Sequence, residues 1–268
     1  MKKFLAQAYL WFILAILYAP ILIIVIFSFT EAKVLGTWSG FSTKLYTSLF
    51  TGDAGNALNN AIFNTLLIAL VAAVVSTILG TIAAIGIYNM RQRERRIINF
   101  VNSIPMINPD IITGISIFLL FVFFGLSRGM TSIICAHIAF CTPYVVLSVM
   151  PRLMKMNPNI YEAALDLGAT PFYALRKVLF PELLPGMISG FILSITLSID
   201  DFAVTLFTKG SSGIDTLSTF IYADARKGGL TPELRPLSAI IFMSILALLL
   251  VINYRTNKKT QNKNRLIK

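Results

Sequence analysis

The sequence predicts an all-α polytopic membrane protein with six transmembrane helices, and three observations lead there. Of its 268 residues, 56% are hydrophobic and only 13% charged, with a mean hydropathy of +0.76. So few charges cannot clothe a water-exposed surface of this size. The apolar residues also gather into six runs, approximately 4–29, 62–89, 108–126, 131–150, 187–207 and 236–254. Each is near the roughly 20 residues that a hydrocarbon layer about 30 Å thick requires of a helix. Finally, most of the 23 basic residues fall on one side of these runs. With the N-terminus inside, Lys2, Lys3, Arg91, Arg93, Arg95, Arg96, Arg152, Lys155, Arg176, Lys177 and the basic tail from Arg255 to Lys268 all become cytoplasmic. Both termini are therefore expected in the cytoplasm. The net charge of +11 is then topology, not a nucleic-acid footprint, and residues 1–268 read as one transmembrane domain.

The first run follows Lys2-Lys3, as a signal peptide would. From Phe4 to Phe29, however, it is about twice the length of a signal core and has no small-x-small cleavage site. It is read as a retained span, with Pro20 predicting a kink. Residues 31–60 are rich in Gly, Ser, Thr and Asn, with Trp38, Phe41 and Tyr46 interleaved. They read as an external loop with a short helix at the headgroup level, where aromatic rings are favoured. The second run carries Ala69, Ala72, Ala73, Ser76, Gly80, Ala83, Ala84 and Gly86. Side chains this small let helix backbones approach closely, so this helix belongs at a packed interface.

The third run opens on Pro105-Met-Ile-Asn-Pro-Asp110, which predicts an irregular backbone start with Asp110 near a helix N-terminus in a capping role. Cys135 and Cys141 share the fourth run. Six residues apart on a helix, they sit about 9 Å apart along the axis and cannot bridge. His137 lies between them and reads as a buried, hydrogen-bonded side chain. With no second histidine, no metal site is proposed.

The fifth run holds Ser194, Ser198, Asp201, Thr205 and Thr208, whose spacings of three and four draw one polar stripe along a helix. Acids within a bilayer usually face a pathway or a partner charge. Asp201 lies on the stripe and is read as the pathway carboxylate; Asp200, rotated by about 100°, would pair with a neighbouring helix. Between the fifth and sixth runs, 209–235 reads as an external loop with a short helix over 216–225.

The most distinctive stretch lies between the fourth and fifth runs, within residues 151–186. Asn157 and Asn159 offer capping oxygens, with Pro158 in the first turn, and Glu162 sits near the positive end of the dipole. Gly168 stands where positive φ ends a helix, and Thr170-Pro171 starts a second helix that Pro181 is expected to close. Glu162-Ala163-Ala164, Gly168 four residues on, and Val178-Leu-Phe-Pro181 resemble the EAA-x3-G-x9-I-x-L-P loop of ABC importer permeases. Val178 and Phe180 replace the usual Ile and Leu with other apolar side chains. Ser198-Ile-Asp-Asp-Phe-Ala-Val-Thr205, Thr216-Leu-Ser-Thr-Phe-Ile-Tyr222 and 231–238 are similar to the second permease of spermidine/putrescine importers.

That resemblance implies a type I importer permease fold in a bacterial cytoplasmic membrane. It implies partners as well: an ATPase homodimer, a second homologous permease and an external substrate-binding protein. Glu162, Ala163, Ala164, Gly168 and Pro181 would couple to the ATPase; Asp201, Asp200 and Tyr222 would line the substrate pathway. The chain has no Walker lysine motif or Gly-rich phosphate loop, so ATP would be bound by the partner and this subunit would have no catalytic residues or cofactor of its own. Carboxylates and aromatic faces suit a flexible polycation. Two rivals stay open: the same permease with another cargo (ferric iron, thiamine or an amino acid), and an ion-coupled secondary carrier using Asp200 and Asp201. The carrier lacks the repeated halves such proteins often show, and it leaves the Glu162 loop without a role.

Overall fold

The computed structural model describes residues 2–32, 36–51, 53–157, 159–211, 213–226, 231–244 and 246–247. Twelve helices follow in order among them: α1 (Lys2–Phe27), α2 (Lys44–Thr51), α3 (Asp53–Tyr88), α4 (Gln92–Ile107), α5 (Asp110–Phe123), α6 (Met130–Lys155), α7 (Asn159–Asp166), α8 (Pro171–Ala174), α9 (Phe180–Asp200), α10 (Ala203–Thr208), α11 (Leu217–Arg226) and α12 (Leu234–Ser244). No strand occurs among the described residues. Four helical stretches are long and apolar enough to cross a membrane: Gln7–Phe27, Asn56–Tyr88, Met130–Lys155 and Pro171–Asp200. The pair α4 and α5, bent by 108°, adds a fifth if it counts as one span. Of the expected sixth span only its first part is described, as α12. Residues 245 and 248–254 of that run, the basic tail and Pro158 lie outside the described residues.

The chain packs as two units, one of 1–59 with 221–268 and one of 60–220. In the first, Phe29 stacks on Phe41 at 5.5 Å and meets Tyr46 at 5.3 Å. The Ser28 and Tyr46 hydroxyls lie 2.8 Å apart. Ser42 and Lys44 both bond the Glu31 carboxylate, and the Arg235 guanidinium donates to the Ala32 carbonyl at 2.7 Å. These contacts fold the aromatic residues of the first loop back onto the end of α1.

The second unit is built on α6, which packs along α9 and against α4, α5 and α10. Lipid tails are as apolar as leucine, so close backbone approach and hydrogen bonds must hold such helices together. The sequence supplies both. A Cβ on Gly186 would come within 3.0 Å of the Ser148 carbonyl oxygen and 3.2 Å of Val149 Cα, and one on Gly80 within 2.6 Å of Val145 Cβ. Around these crossings lie Ala84, Val145, Val146, Val149, Leu153, Leu179 and Leu183, all buried. Ala69, Ala72, Ala73, Ser76, Gly80 and Ala84 of the second run thus have the packing role the sequence assigns them, while Gly86 is exposed with nothing within 4 Å of where a Cβ would stand.

The basic segment after α3 enters α4, which passes through Pro105 before the break at Asn108-Pro109. Two local expectations change. Pro181 does not close the second helix of the loop; α8 runs into α9 through a π-turn at Leu175–Leu179. There the Phe180 N–H reaches the Leu175 carbonyl, five residues back. This wider register absorbs the bond that Pro181, lacking an N–H, cannot make. Finally, the fifth span is not one continuous helix through Asp201. It begins at Pro171, ends at Asp200 and breaks where Asp201 turns extended (φ −64°, ψ 133°).

Candidate functional site

The break after Asp200 organises a polar centre in the second unit. Asp201 turns its carboxylate forward, where one oxygen accepts from Val204 N–H at 3.1 Å and the other from Thr205 N–H at 2.8 Å. The Thr205 hydroxyl donates to that second oxygen, also at 2.8 Å, and the Ser218 hydroxyl donates to the Asp201 carbonyl at 2.5 Å. From α6, the fully buried His137 closes the cluster. Its Nε2 lies 2.9 Å from Thr205 Oγ1 and 3.4 Å from the Asp201 carboxylate, and its Nδ1 lies 2.6 Å from Ser198 Oγ. Only 5% of the Asp201 side chain is exposed.

The two neighbouring carboxylates differ in their surroundings. Asp201 is the paired acid, while Asp200 is exposed. The expected stripe is divided by the break, Ser194 and Ser198 on α9 and Thr205 and Thr208 on α10, and all four side chains are buried. Ser194 lies 3.4 Å from Ser76 of α3, and its carbonyl accepts from Cys141 of α6. Ser194, Ser198 and Thr205 thus link helices, whereas the Thr208 hydroxyl donates to the Val204 carbonyl of its own helix.

Beside the break lies a small cleft of about 70 Å³ lined by Asp110, Thr113, Phe140, Tyr144, Leu197, Asp200 and Asp201, with Pro105 and Val204. Asp110 reaches it because the bend between α4 and α5 sets it in the first turn of α5. Its expected capping bond is not made: Pro109 occupies the cap position, with no side-chain bond to the helix. Asp200 reaches the cleft as the last residue of α9, where unpaired carbonyls add the negative end of a helix dipole. Two exposed carboxylates, a helix C-terminus and two aromatic rings make a surface suited to a cation. Asp110 was legible only as an acid at a span entrance; its convergence on Asp200 comes from the bend. Tyr222 belongs to the other unit, on α11, half-exposed with the Arg226 guanidinium 6.0 Å above its ring.

From Asn157 to Thr170 the loop at the far end of α6 has the local form its sequence predicts. Asn157 Oδ1 accepts from Asn159 N–H at 3.0 Å, and α7 carries Glu162, Ala163 and Ala164. Gly168 takes φ +85°, and the Thr170 hydroxyl accepts from Tyr173 N–H as α8 begins. Glu162, Ala163 and Pro181 are exposed. Around the turn, Leu167 is 89% and Phe172 73% exposed, and Ala164, Leu167, Gly168, Ala169, Thr170 and Tyr173 border one shallow cleft. Beneath α7, Tyr161 and Glu162 border a second cleft with Tyr88, Leu153 and Leu179. Among the described residues, no group of His, Cys, Asp or Glu is arranged to hold a metal ion.

Residues 76–256 match the family described as the inner membrane component of binding-protein-dependent transport systems. The chain is 37% identical over 257 residues to the spermidine/putrescine transport system permease protein PotC of Haemophilus influenzae, covering 96% of this chain and 98% of that one. It is 38% identical over 236 residues to the putrescine transport system permease protein PotI of Escherichia coli, covering 85% and 82% respectively. Its fold is similar to a chain of a bacterial ABC transporter involved in the import of the acidic polysaccharide alginate, with a TM-score of 0.69 at 17% identity over 96% of this chain and 95% of that one.

Proposed function

The chain belongs to the family of inner membrane components of binding-protein-dependent transport systems, and we propose that it is a permease subunit of an ABC importer that carries spermidine or putrescine inward across a bacterial cytoplasmic membrane. The observation that carries the cargo is the cleft where Asp110 and Asp200 meet Tyr144 and Phe140. Likeness to relatives named for polyamine transport supports it. An ammonium about 4 Å from a carboxylate gains up to about 4 kcal/mol at an effective dielectric near 20. Desolvation offsets much of this, leaving weak, serial contacts that hold a polycation without trapping it. In this reading Asp200 and Asp110 touch cargo and Asp201 frames the site; the resemblance to polyamine permeases also implies a pathway role for Tyr222.

Six spans with both termini cytoplasmic put the 151–186 loop on the side where an ATPase homodimer docks. A second, homologous permease completes the pathway, and an external binding protein delivers cargo. This subunit hydrolyses nothing; ATP acts through the partner. Closure of the ATPase pair moves α7, and the unbroken helix from Pro171 to Asp200 conducts that movement to the carboxylate end of the cleft. Glu162, Ala163, Ala164, Gly168 and Pro181 are the coupling residues. The exposed Leu167 and Phe172 give the docking partner an apolar knob.

The test is uptake of labelled spermidine and putrescine in cells with and without this gene, with and without ATP depletion. ATP-dependent uptake that disappears with the gene is the expected result. Unchanged uptake in gene-deleted cells would reject the cargo and leave an importer of another solute. Uptake that survives ATP depletion but collapses with the membrane ion gradient would favour an ion-coupled carrier.

A further inference from the structure

His137 is the one charge-capable side chain of the polar centre that has no place in the transport reading so far, yet it sits at 0% exposure in the middle of α6. Its contacts have a definite order. The Thr205 hydroxyl donates to Asp201, so the Thr205 oxygen takes its other bond from His137 Nε2–H, leaving Nδ1 to accept from the Ser198 hydroxyl. One neutral tautomer satisfies all of these bonds. Ser198 lies on α9 before the break, Asp201 lies in the break and Thr205 lies on α10 after it. A single imidazole from another helix therefore holds both sides of an interruption that contains no proline or glycine.

We propose that His137 is a positioning residue for the cargo cleft: it fastens the α9–α10 break and thereby fixes the backbone from which Asp200 enters the cleft. The proposal rests on the reading of Asp200 as a cargo contact. The same helix supports the opposite wall, since Phe140 and Tyr144 line the cleft one and two turns beyond His137. Close packing seats the break from the other side: a Cβ on Gly114 would come within 3.0 Å of the Ala203 carbonyl oxygen. Without the imidazole, Ser198 and Thr205 lose their shared partner in a water-poor interior, and the helix ends they belong to are free to shift.

The test is the concentration dependence of labelled spermidine uptake by the assembled transporter, with His137→Ala, His137→Gln, Asp200→Asn and the His137→Ala/Asp200→Asn pair. His137→Ala should raise the half-saturation concentration about tenfold, and more than it lowers the maximal rate. His137→Gln, which keeps a donor and an acceptor, should recover most of that loss. Because His137 acts through Asp200, the pair should be no worse than Asp200→Asn alone. A His137→Ala loss that multiplies with that of Asp200→Asn, or that falls only on the maximal rate, would overturn the proposal. Unchanged half-saturation in Asp200→Asn itself would reject the cleft reading, and the proposal with it. Should His137→Ala fail to assemble with its partners, Ser198→Ala, which frees only the Nδ1 side, carries the same comparison.

Discussion

Gly168 ends α7 at φ +85°, and nothing lies within 4 Å of where a Cβ would stand. A side chain there meets no obstacle within the chain, so its penalty is the backbone term alone, roughly 1–2 kcal/mol for an ordinary L-residue and less for Asn. Such a loss shifts the thermal midpoint of a chain this size by only a few degrees. The same roughly 1 kcal/mol reduces the share of molecules with the loop in its docking geometry about fivefold. Gly168→Ala should therefore assemble normally yet lose about fivefold in cargo moved per ATP hydrolysed. Gly168→Val should lose more, because a β-branched residue resists positive φ, and Gly168→Asn should lose less than Gly168→Ala. Uptake and ATP hydrolysis measured side by side in proteoliposomes decide the ordering. If Asn proves as damaging as Val, side-chain bulk against the ATPase, not backbone conformation, controls coupling. A fall of more than about 10 °C in midpoint with unchanged coupling would make Gly168 a folding residue.

Three other expectations are as direct. Gly186→Val would drive a branched side chain against the Ser148 carbonyl oxygen and Val149 Cα of α6, so we expect about 3 kcal/mol or more of destabilisation, read as loss of assembled complex in detergent. Leu167→Asp would place a charge on the most exposed apolar side chain of the loop; copurification with the ATPase should fall while the subunit's own midpoint stays within about 2 °C. The Ser42 hydroxyl and the Lys44 ammonium hold the exposed Glu31 carboxyl below its ordinary value. What this contact adds is complete above the ordinary carboxylate range and is lost as pH falls through the lowered value. Hydrogen exchange in α2 should therefore quicken below about pH 4 in the native chain, and Glu31→Gln should remove that dependence.

Local chemistry was legible where it acts through neighbours in sequence. The left-handed turn at Gly168, the helix start at Thr170, the break before Asp110 and the short helix at Leu217–Arg226 all follow from capping residues, proline and glycine. The buried state of His137 followed from a lone imidazole in an apolar run. What could not be read is tertiary. The helix ends at Asp200 without any breaker residue; it is held open by a carboxylate that captures two backbone N–H groups and by an imidazole 64 positions away from Asp201. A period of three and four picked out Ser194, Ser198, Thr205 and Thr208, all of them buried, but it missed the break that divides them between α9 and α10, and periodicity does not say whether such groups meet cargo or another helix. Pro181 misled because a proline near a helix end usually stops it, and a π-turn here does not let it.

The central claim is that Asp200 presents its charge to a polyamine while Asp201 holds the frame. The most direct measurement is the half-saturation concentration for labelled spermidine in the assembled transporter carrying Asp200→Asn or Asp110→Asn, beside the complex's thermal midpoint. Each substitution should raise half-saturation about five- to tenfold, the effect of roughly 1 kcal/mol of lost attraction, with the midpoint within a few degrees of the native complex. An unchanged half-saturation in both, with uptake intact, would contradict the account.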